Sequence, residues 1–234
     1  MKAEHYVGGV FRADGEPFPL VAPVDGSELG TVPEAAPEVV DAAVNAARTA
    51  LQGPWAAMGV DERAAALRAV ADGIQARFEE FVEAEVADTG RPRDFAATVD
   101  VPRAVGNFRA YADLIYGRPE RAYTTRVPGW SSGAGEALNY TVRRPLGVVA
   151  VISPWNLPLL LSTWKVAPAL ACGNAVVLKP SEETPSTATL LARVIHDAGL
   201  PEGVFNVVHG HGAGAAGEFL TGHPGVDAIA FTGE

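Results

Sequence analysis

Apolar positions along the chain follow two rhythms, and the change between them falls near Leu146. Before it the spacing is helical. Val39, Ala43, Ala47 and Leu51 recur at steps of four from about Pro37, which predicts an amphipathic helix. A longer stripe, Leu67, Val70, Ile74, Phe78, Phe81 and Ala84, advances by threes and fours and reads as one helix with Asp61 as its N-cap. Thr89-Gly90-Arg91-Pro92 breaks that pattern, and Val105, Phe108, Ala112 and Ile115 predict a third helix beyond it. Residues ahead of Pro37 read as short irregular elements. Arg118 to Glu136 mixes Gly, Pro and Ser without a period and is expected to leave the main body as an excursion.

After Leu146 the apolar residues run continuously. Leu146 to Ile152, Ala175 to Leu178, Val204 to Val208 and Val226 to Phe231 each read as a strand buried on both faces. Helical stretches separate them, the clearest with Thr184 as N-cap, Pro185 at the first helical position and Gly199 at the end. Strands alternating with helices predict an α/β fold, a parallel sheet with helices on both faces. Ligands of such sheets bind beyond the carboxyl ends of the strands.

The residues at those ends are polar or glycine-rich: Ser153 to Pro158, Lys179 to Pro185, Gly210 to Gly217, and Phe231-Thr232-Gly233-Glu234. The glycines let backbone approach a ligand, and a helix start behind them offers N–H groups to a phosphate. Lys179 and Glu182, three apart on one loop, could hold the hydroxyls of a ribose. The glycine cluster does not match the dinucleotide fingerprint spacing, and no GxxxxGK[ST] loop exists, which excludes a phosphate-loop ATPase.

Composition narrows the classes further. The 234 residues suit one domain or one and a half, and 48% hydrophobic with 20% charged residues describes a soluble globular chain. A net charge of −10 without a basic stripe argues against a nucleic-acid partner. Cys172 is the single cysteine, so no internal disulfide can form. No apolar run approaches the roughly 20 residues needed to span a membrane, and Met1 to His5 leads into no apolar signal segment. A cytoplasmic location is the expectation.

Five motifs then stand in order: Ser153-Pro154-Trp155-Asn156, the run from Trp164 to Asn174, Lys179 to Pro185, Gly199 to Val208, and Phe231-Thr232-Gly233. Together they resemble the aldehyde dehydrogenase superfamily, over a span from about Gly30 to the last residue. Ala50 to Trp55, Val70 to Ile74, Ile152 to Leu161 and Phe231 to Glu234 resemble most the branch acting on 2-hydroxymuconic and 2-aminomuconic semialdehydes. The resemblance implies a Rossmann-like NAD-binding domain, here incomplete, with residues 1–122 its helical N-terminal part, 123–142 a small oligomerisation excursion and 143–234 the truncated nucleotide-binding part. It implies NAD as cofactor, a small-molecule aldehyde as substrate, no membrane partner, and a homo-oligomer when the protein is complete.

Residue by residue, Asn156 matches the family's oxyanion-stabilising Asn; capping the helix near Pro158 is the plain alternative. Lys179 and Glu182 match the residues that hold the adenosine ribose, against a solvated charged turn. Ile152, Ser153, Pro154 and Trp155 would line the cofactor cleft, with Gly212 and Gly233 also beside the cofactor; Trp155 could equally be core. Arg103, in the Pro102-Arg103 pair, matches the arginine that binds a substrate carboxylate, against an exposed arginine in a first helical turn. Glu234 replaces the commoner Ser and reads as a branch marker. The family's nucleophilic Cys and general-base Glu belong to later motifs absent here. Cys172 therefore reads as a small buried hydrophobe, and His209 and His211 as loop residues rather than metal ligands. The function expected is oxidation of an aldehyde to the acid with NAD, as the N-terminal part of the enzyme and without turnover alone. A truncated nucleotide-binding or partner-binding module without catalysis is the alternative.

Overall fold

The computed structural model describes residues 3–117, 119–127 and 135–233. In chain order the elements are β1 (His5–Val7), β2 (Val10–Arg12), β3 (Pro17–Val21), β4 (Glu28–Pro33), α1 (Pro37–Ala50), α2 (Pro54–Ala57), α3 (Val60–Ala76) and α4 (Phe78–Thr89). There follow α5 (Arg93–Phe95), α6 (Val101–Leu114), β5 (Ala122–Val127), β6 (Gly135–Tyr140), β7 (Val148–Ile152) and α7 (Pro158–Ala171). The remainder is β8 (Ala175–Lys179), α8 (Ser186–Asp197), β9 (Phe205–Val207), α9 (Ala216–Thr221) and β10 (Ala228–Phe231).

The central sheet has six strands in the order β10-β7-β8-β9-β1-β2. The first four are parallel, as the continuous apolar runs predict. β1 and β2 were not legible as strands. They form a hairpin whose β1 joins β9 antiparallel, so the sheet is mixed. Pleating sends alternate residues to opposite faces. Val149, Val151, Val176 and Leu178 pack into the core shared with α3, α4, α6, α7 and α8. Val148, Ala150, Ala175 and Val177 enter a second core with α1 and α9. Each such buried Val or Leu contributes about 1.5–3 kcal/mol. Outside the sheet, β3 pairs with β4, and β5 with β6 in an antiparallel ladder running from Ala122↔Tyr140 to Val127↔Gly135.

Three helix boundaries differ from the sequence expectation. The long stripe is divided, because Arg77 leaves helical geometry at φ −106° and ψ 28° and its side chain pairs with Asp197 at 2.8 Å. The apolar spacing continues across the break, which hides it from the sequence. Asp61 lies inside α3; Gly59 is the N-cap, its N–H donated to the Glu62 carboxylate at 2.7 Å. Thr184 does not cap α8, and its buried hydroxyl has no partner among the described residues. Asp88 at the end of α4 takes that role from a distance. Its carboxylate accepts the Ser186 N–H at 2.8 Å and the Ser186 hydroxyl at 2.7 Å.

Asp88 is one of three buried carboxyls on this side of the sheet, with Glu85 and Asp100. Asp100 ends a π-helical turn, Ala96–Asp100, that feeds α6. Arg91 lies 3.3 Å from it. Glu85 accepts the Leu159 N–H at 3.3 Å through Oε1, while Oε2 has no partner among the described residues. Burial, reinforced by Asp100, pushes Glu85 up to about 8, so its carboxyl is neutral in the fold at pH 7.

A folded-state value above the unfolded one means that stability is complete below the unfolded pKa and declines as pH rises toward 8. Glu85→Gln keeps the oxygen acceptor and cannot ionise when unfolded. Thermal unfolding of Glu85→Gln is therefore expected to exceed wild type by on the order of 1–3 kcal/mol at pH 8, with the difference vanishing near pH 4.5. Parallel pH profiles for the two proteins would show that Glu85 is charged in the fold.

Candidate functional site

The parallel ladder brings four strand ends to one edge and carries on past them. Ser153 N–H reaches the Lys179 carbonyl at 3.3 Å, Val208 N–H the Leu178 carbonyl at 2.9 Å, and Thr232 N–H the Ile152 carbonyl at 3.1 Å. Between the loops lies a cleft of about 450 Å³. Ile152, Ser153, Pro154, Trp155, Asn156, Lys179, Glu182, Gly212 and Gly233 all line it, and so do Ser181, Phe231 and Thr232. Trp155 is 63% exposed, so it belongs to the cleft wall and not to the core.

Each wall has its own support. Ser153 is buried and shares a hydrogen bond with Ser162 on α7 at 2.8 Å. Asn156 does not cap α7: Leu157 holds that position, without a side-chain hydrogen bond. The Asn156 side-chain amide has no partner among the described residues and is open to the solvent. The main-chain carbonyl oxygen of Asn156 accepts from Arg91, which Asp100 and the face of Phe95, 4.9 Å away, hold in place. Arg91 was missed in the sequence, where it is one letter of a helix break.

Lys179 ends β8 almost fully buried, and burial pushes its ammonium below the usual lysine range, opposed by Glu182. Its Nζ donates to the Gly210 carbonyl at 2.6 Å and the Pro180 carbonyl at 2.8 Å, with Glu182 Oε2 at 3.4 Å. Glu182 thus faces the cleft with a carboxylate steadied by an ammonium behind it.

The glycine loop differs from the expectation of free N–H groups. Those of Gly217 and Glu218 donate to His211 and Gly212 carbonyls at 2.9 and 3.0 Å, and the Ala216 N–H to Glu34 Oε1 at 3.4 Å. Glu34 also accepts the His211 N–H at 3.0 Å and pairs with the His211 ring at 2.6 Å. Gly210 has φ +138°, and a Cβ there would stand 2.1 Å from Glu34 Oε1, so glycine is required. Glu34, just after β4, was also missed; nothing local in the sequence marks it as a partner of residues near 211.

Other expected residues lie elsewhere. Arg103 is exposed on α6 with its guanidinium 5.6 Å from the Trp164 ring centroid, and does not line the cleft. Cys172 stands at the end of α7, as expected, but is only half-buried and lines surface grooves. The 14 residues of α7 separate it from the Asn156 end by about 20 Å at 1.5 Å per residue, too far to act on one reacting atom. His209 is a loop residue just after β9, as expected, but it is buried against His5, with ring centroids 5.7 Å apart. Glu234 lies outside the described residues. Among the described residues no helix is long and apolar enough to cross a membrane.

The family model of the aldehyde dehydrogenases matches residues 11–234. The chain belongs to the aldehyde dehydrogenase family. The relatives it matches include members of the expected branch. It is 56% identical over 233 residues to 2-hydroxymuconic semialdehyde dehydrogenase of a Pseudomonas species, covering 99% of this chain and 47% of that protein. It is 52% identical to 2-aminomuconic 6-semialdehyde dehydrogenase of a Pseudomonas species, covering 98% and 46%. Among solved structures, the NAD+ complex of an aldehyde dehydrogenase from Bacillus cereus superposes with a TM-score of 0.90 at 38% identity, covering all of this chain and 46% of that one. The chain spans about half the length of these aldehyde dehydrogenases.

Replacing Glu34 tests what holds the glycine wall. In Glu34→Ala the His211 and Ala216 amides are expected to exchange with solvent at least roughly tenfold faster, since each loses a bond to a charged acceptor. The β7 and β8 amides should keep their protection. Unchanged exchange at those two amides would show that the loop holds its shape without the carboxylate.

Proposed function

We propose that the chain is the nucleotide-binding part of an NAD-dependent dehydrogenase that oxidises a carboxylate-bearing semialdehyde to the acid. One observation carries the reading: loops from four consecutive parallel strands meet in a single cleft with Asn156 on one wall and the Lys179–Glu182 pair on another. The residues fit a dinucleotide. Trp155 and Pro154 offer flat apolar surface, Glu182 offers acceptors for sugar hydroxyls, and the Lys179 ammonium orients that side chain. NAD, when bound, would supply the hydride acceptor. Asn156 would donate its free side-chain N–H to the oxygen of the aldehyde carbon as charge develops there. Arg91 fixes the main chain of Asn156, so that the donor waits in place.

The remaining assignments follow the relatives. Arg103 would pair with the carboxylate of the substrate, its guanidinium presenting a planar fork of donors. Residues 123–142, which contain most of the β5–β6 ladder with Tyr123, Leu138 and Tyr140 exposed, would make the contacts of a cytoplasmic homo-oligomer. Residues 1–122 and 143–234 would then be the helical and nucleotide-binding parts of one cofactor domain.

Two outcomes check this reading. A 2′-phosphate would face the Glu182 carboxylate, so the chain should bind NAD at least roughly tenfold more tightly than NADP by equilibrium titration, and Glu182→Gln should narrow the ratio. Equal affinities in wild type would remove Glu182 from the ribose. In the enzyme turning over a carboxylate-bearing semialdehyde, Arg103→Ala is expected to raise KM roughly ten- to a hundredfold while sparing an uncharged aldehyde of similar size. Equal losses with both substrates would make Arg103 structural.

A further inference from the structure

The N-terminal strand reaches the nucleotide cleft through two histidines that the proposed chemistry does not use. His5 opens β1 and is fully buried; His209 follows β9 and is 1% exposed. The His209 N–H donates to His5 Nδ1 at 3.0 Å, and His5 Nε2 lies 3.1 Å from the Asp14 carbonyl. Nδ1 accepts, so the proton of His5 must sit on Nε2, and the ring is neutral. His209 Nε2 faces the Glu4 carbonyl at 3.0 Å and the Thr189 hydroxyl at 3.2 Å, which places its proton there too. One residue further, the Gly210 carbonyl receives the Lys179 ammonium at 2.6 Å.

We propose that His5 is a positioning residue for the nucleotide cleft: its imidazole fixes the main chain at His209, and the neighbouring Gly210 carbonyl thereby seats Lys179 behind Glu182. The inference rests on the reading of that cleft as a nucleotide site. It assigns the N-terminal hairpin a part in ligand binding beyond sheet extension. A proton on His5 Nδ1 would meet the His209 N–H head-on and break the link. Burial holds both rings below the usual histidine range, His209 at about 3 with His5 and Lys179 adding to the effect. Asp14, Arg12 and Glu34 are the other charged groups facing His5, with Asp14 and Glu34 opposing the shift and Arg12 reinforcing it.

The test uses the whole 234-residue chain, ¹⁵N-labelled, with His5→Ala and His5→Asn beside wild type. Asn retains an oxygen able to accept the His209 N–H. NAD affinity is expected to fall about tenfold in His5→Ala, the worth of one buried hydrogen bond, and to return to within about threefold in His5→Asn. Amide exchange at His209 and Gly210 should rise and recover in the same order. Unchanged affinity and exchange in His5→Ala overturns the proposal, and so does a loss that Asn fails to restore. If His5→Ala does not fold, ring ¹⁵N shifts of wild type at pH 6 decide: a cationic or Nδ1-protonated His5 overturns it. Failure of the wild-type chain to bind NAD would refute the nucleotide reading alone, leaving amide exchange to judge the histidine link.

Discussion

The parallel ladder that pairs Val148 with Ala175 and Ile152 with Lys179 sets where each wall of the cleft begins. Strands in register end together, and the loops that leave them have no choice but to face one another. The ladder holds because both faces of β7 and β8 are buried, so a shift of one residue would exchange the two cores. The loops of the site are therefore placed largely by buried strand residues, Val148 to Val151 and Ala175 to Leu178, that do not line the cleft.

Around this frame the protein uses carboxyl groups as fasteners. Asp88 fills the start of α8, Glu34 closes the glycine loop, Asp100 orients Arg91, and Asp227 accepts the Val148 N–H at 2.7 Å while pairing with Arg48. Asp88, Glu34 and Asp227 each meet two or more donors and Asp100 meets the Arg91 guanidinium, which is what makes a carboxyl group tolerable away from water. Glu85 is the exception, with one donor for two oxygens, and it escapes the penalty by keeping its proton. Helix starts that looked ready for a phosphate are thus already served from within. What the cleft presents instead is side chains and the flat face of Trp155.

What the sequence disclosed follows from range. Continuous apolar runs announced β7 and β8, where burial on both faces leaves no polar position to confuse the pattern. β9 carries a buried Asn206, and β10, expected to be buried on both faces, is an edge strand with Ile229 and Phe231 exposed. The loops at their ends carried the motifs, and with them Asn156, Lys179 and Glu182. Strands β1 and β2 escaped notice since three residues make no period. Position alone marks Thr184 and Asp61 as caps, whereas the groups that serve the two helix starts are a distant Asp88 and a nearer Glu62. Arg91 and Glu34 act on residues far along the chain, and no local spacing records such a bond. Cys172 was placed correctly at a helix end, but its half-exposure depends on which neighbours cover it.

The contact between His5 and His209 spans 204 positions of sequence, and this has a consequence for biosynthesis. A chain emerging from the ribosome delivers β1 first and its partner β9 near the end of the described sequence. Through that interval the N-terminal hairpin has no sheet to join, and its apolar edge must remain in solution or against a helper protein. Docking of the first residues is then among the last steps of assembly, so the loop after β9 is fixed only once the chain has been made as far as His209.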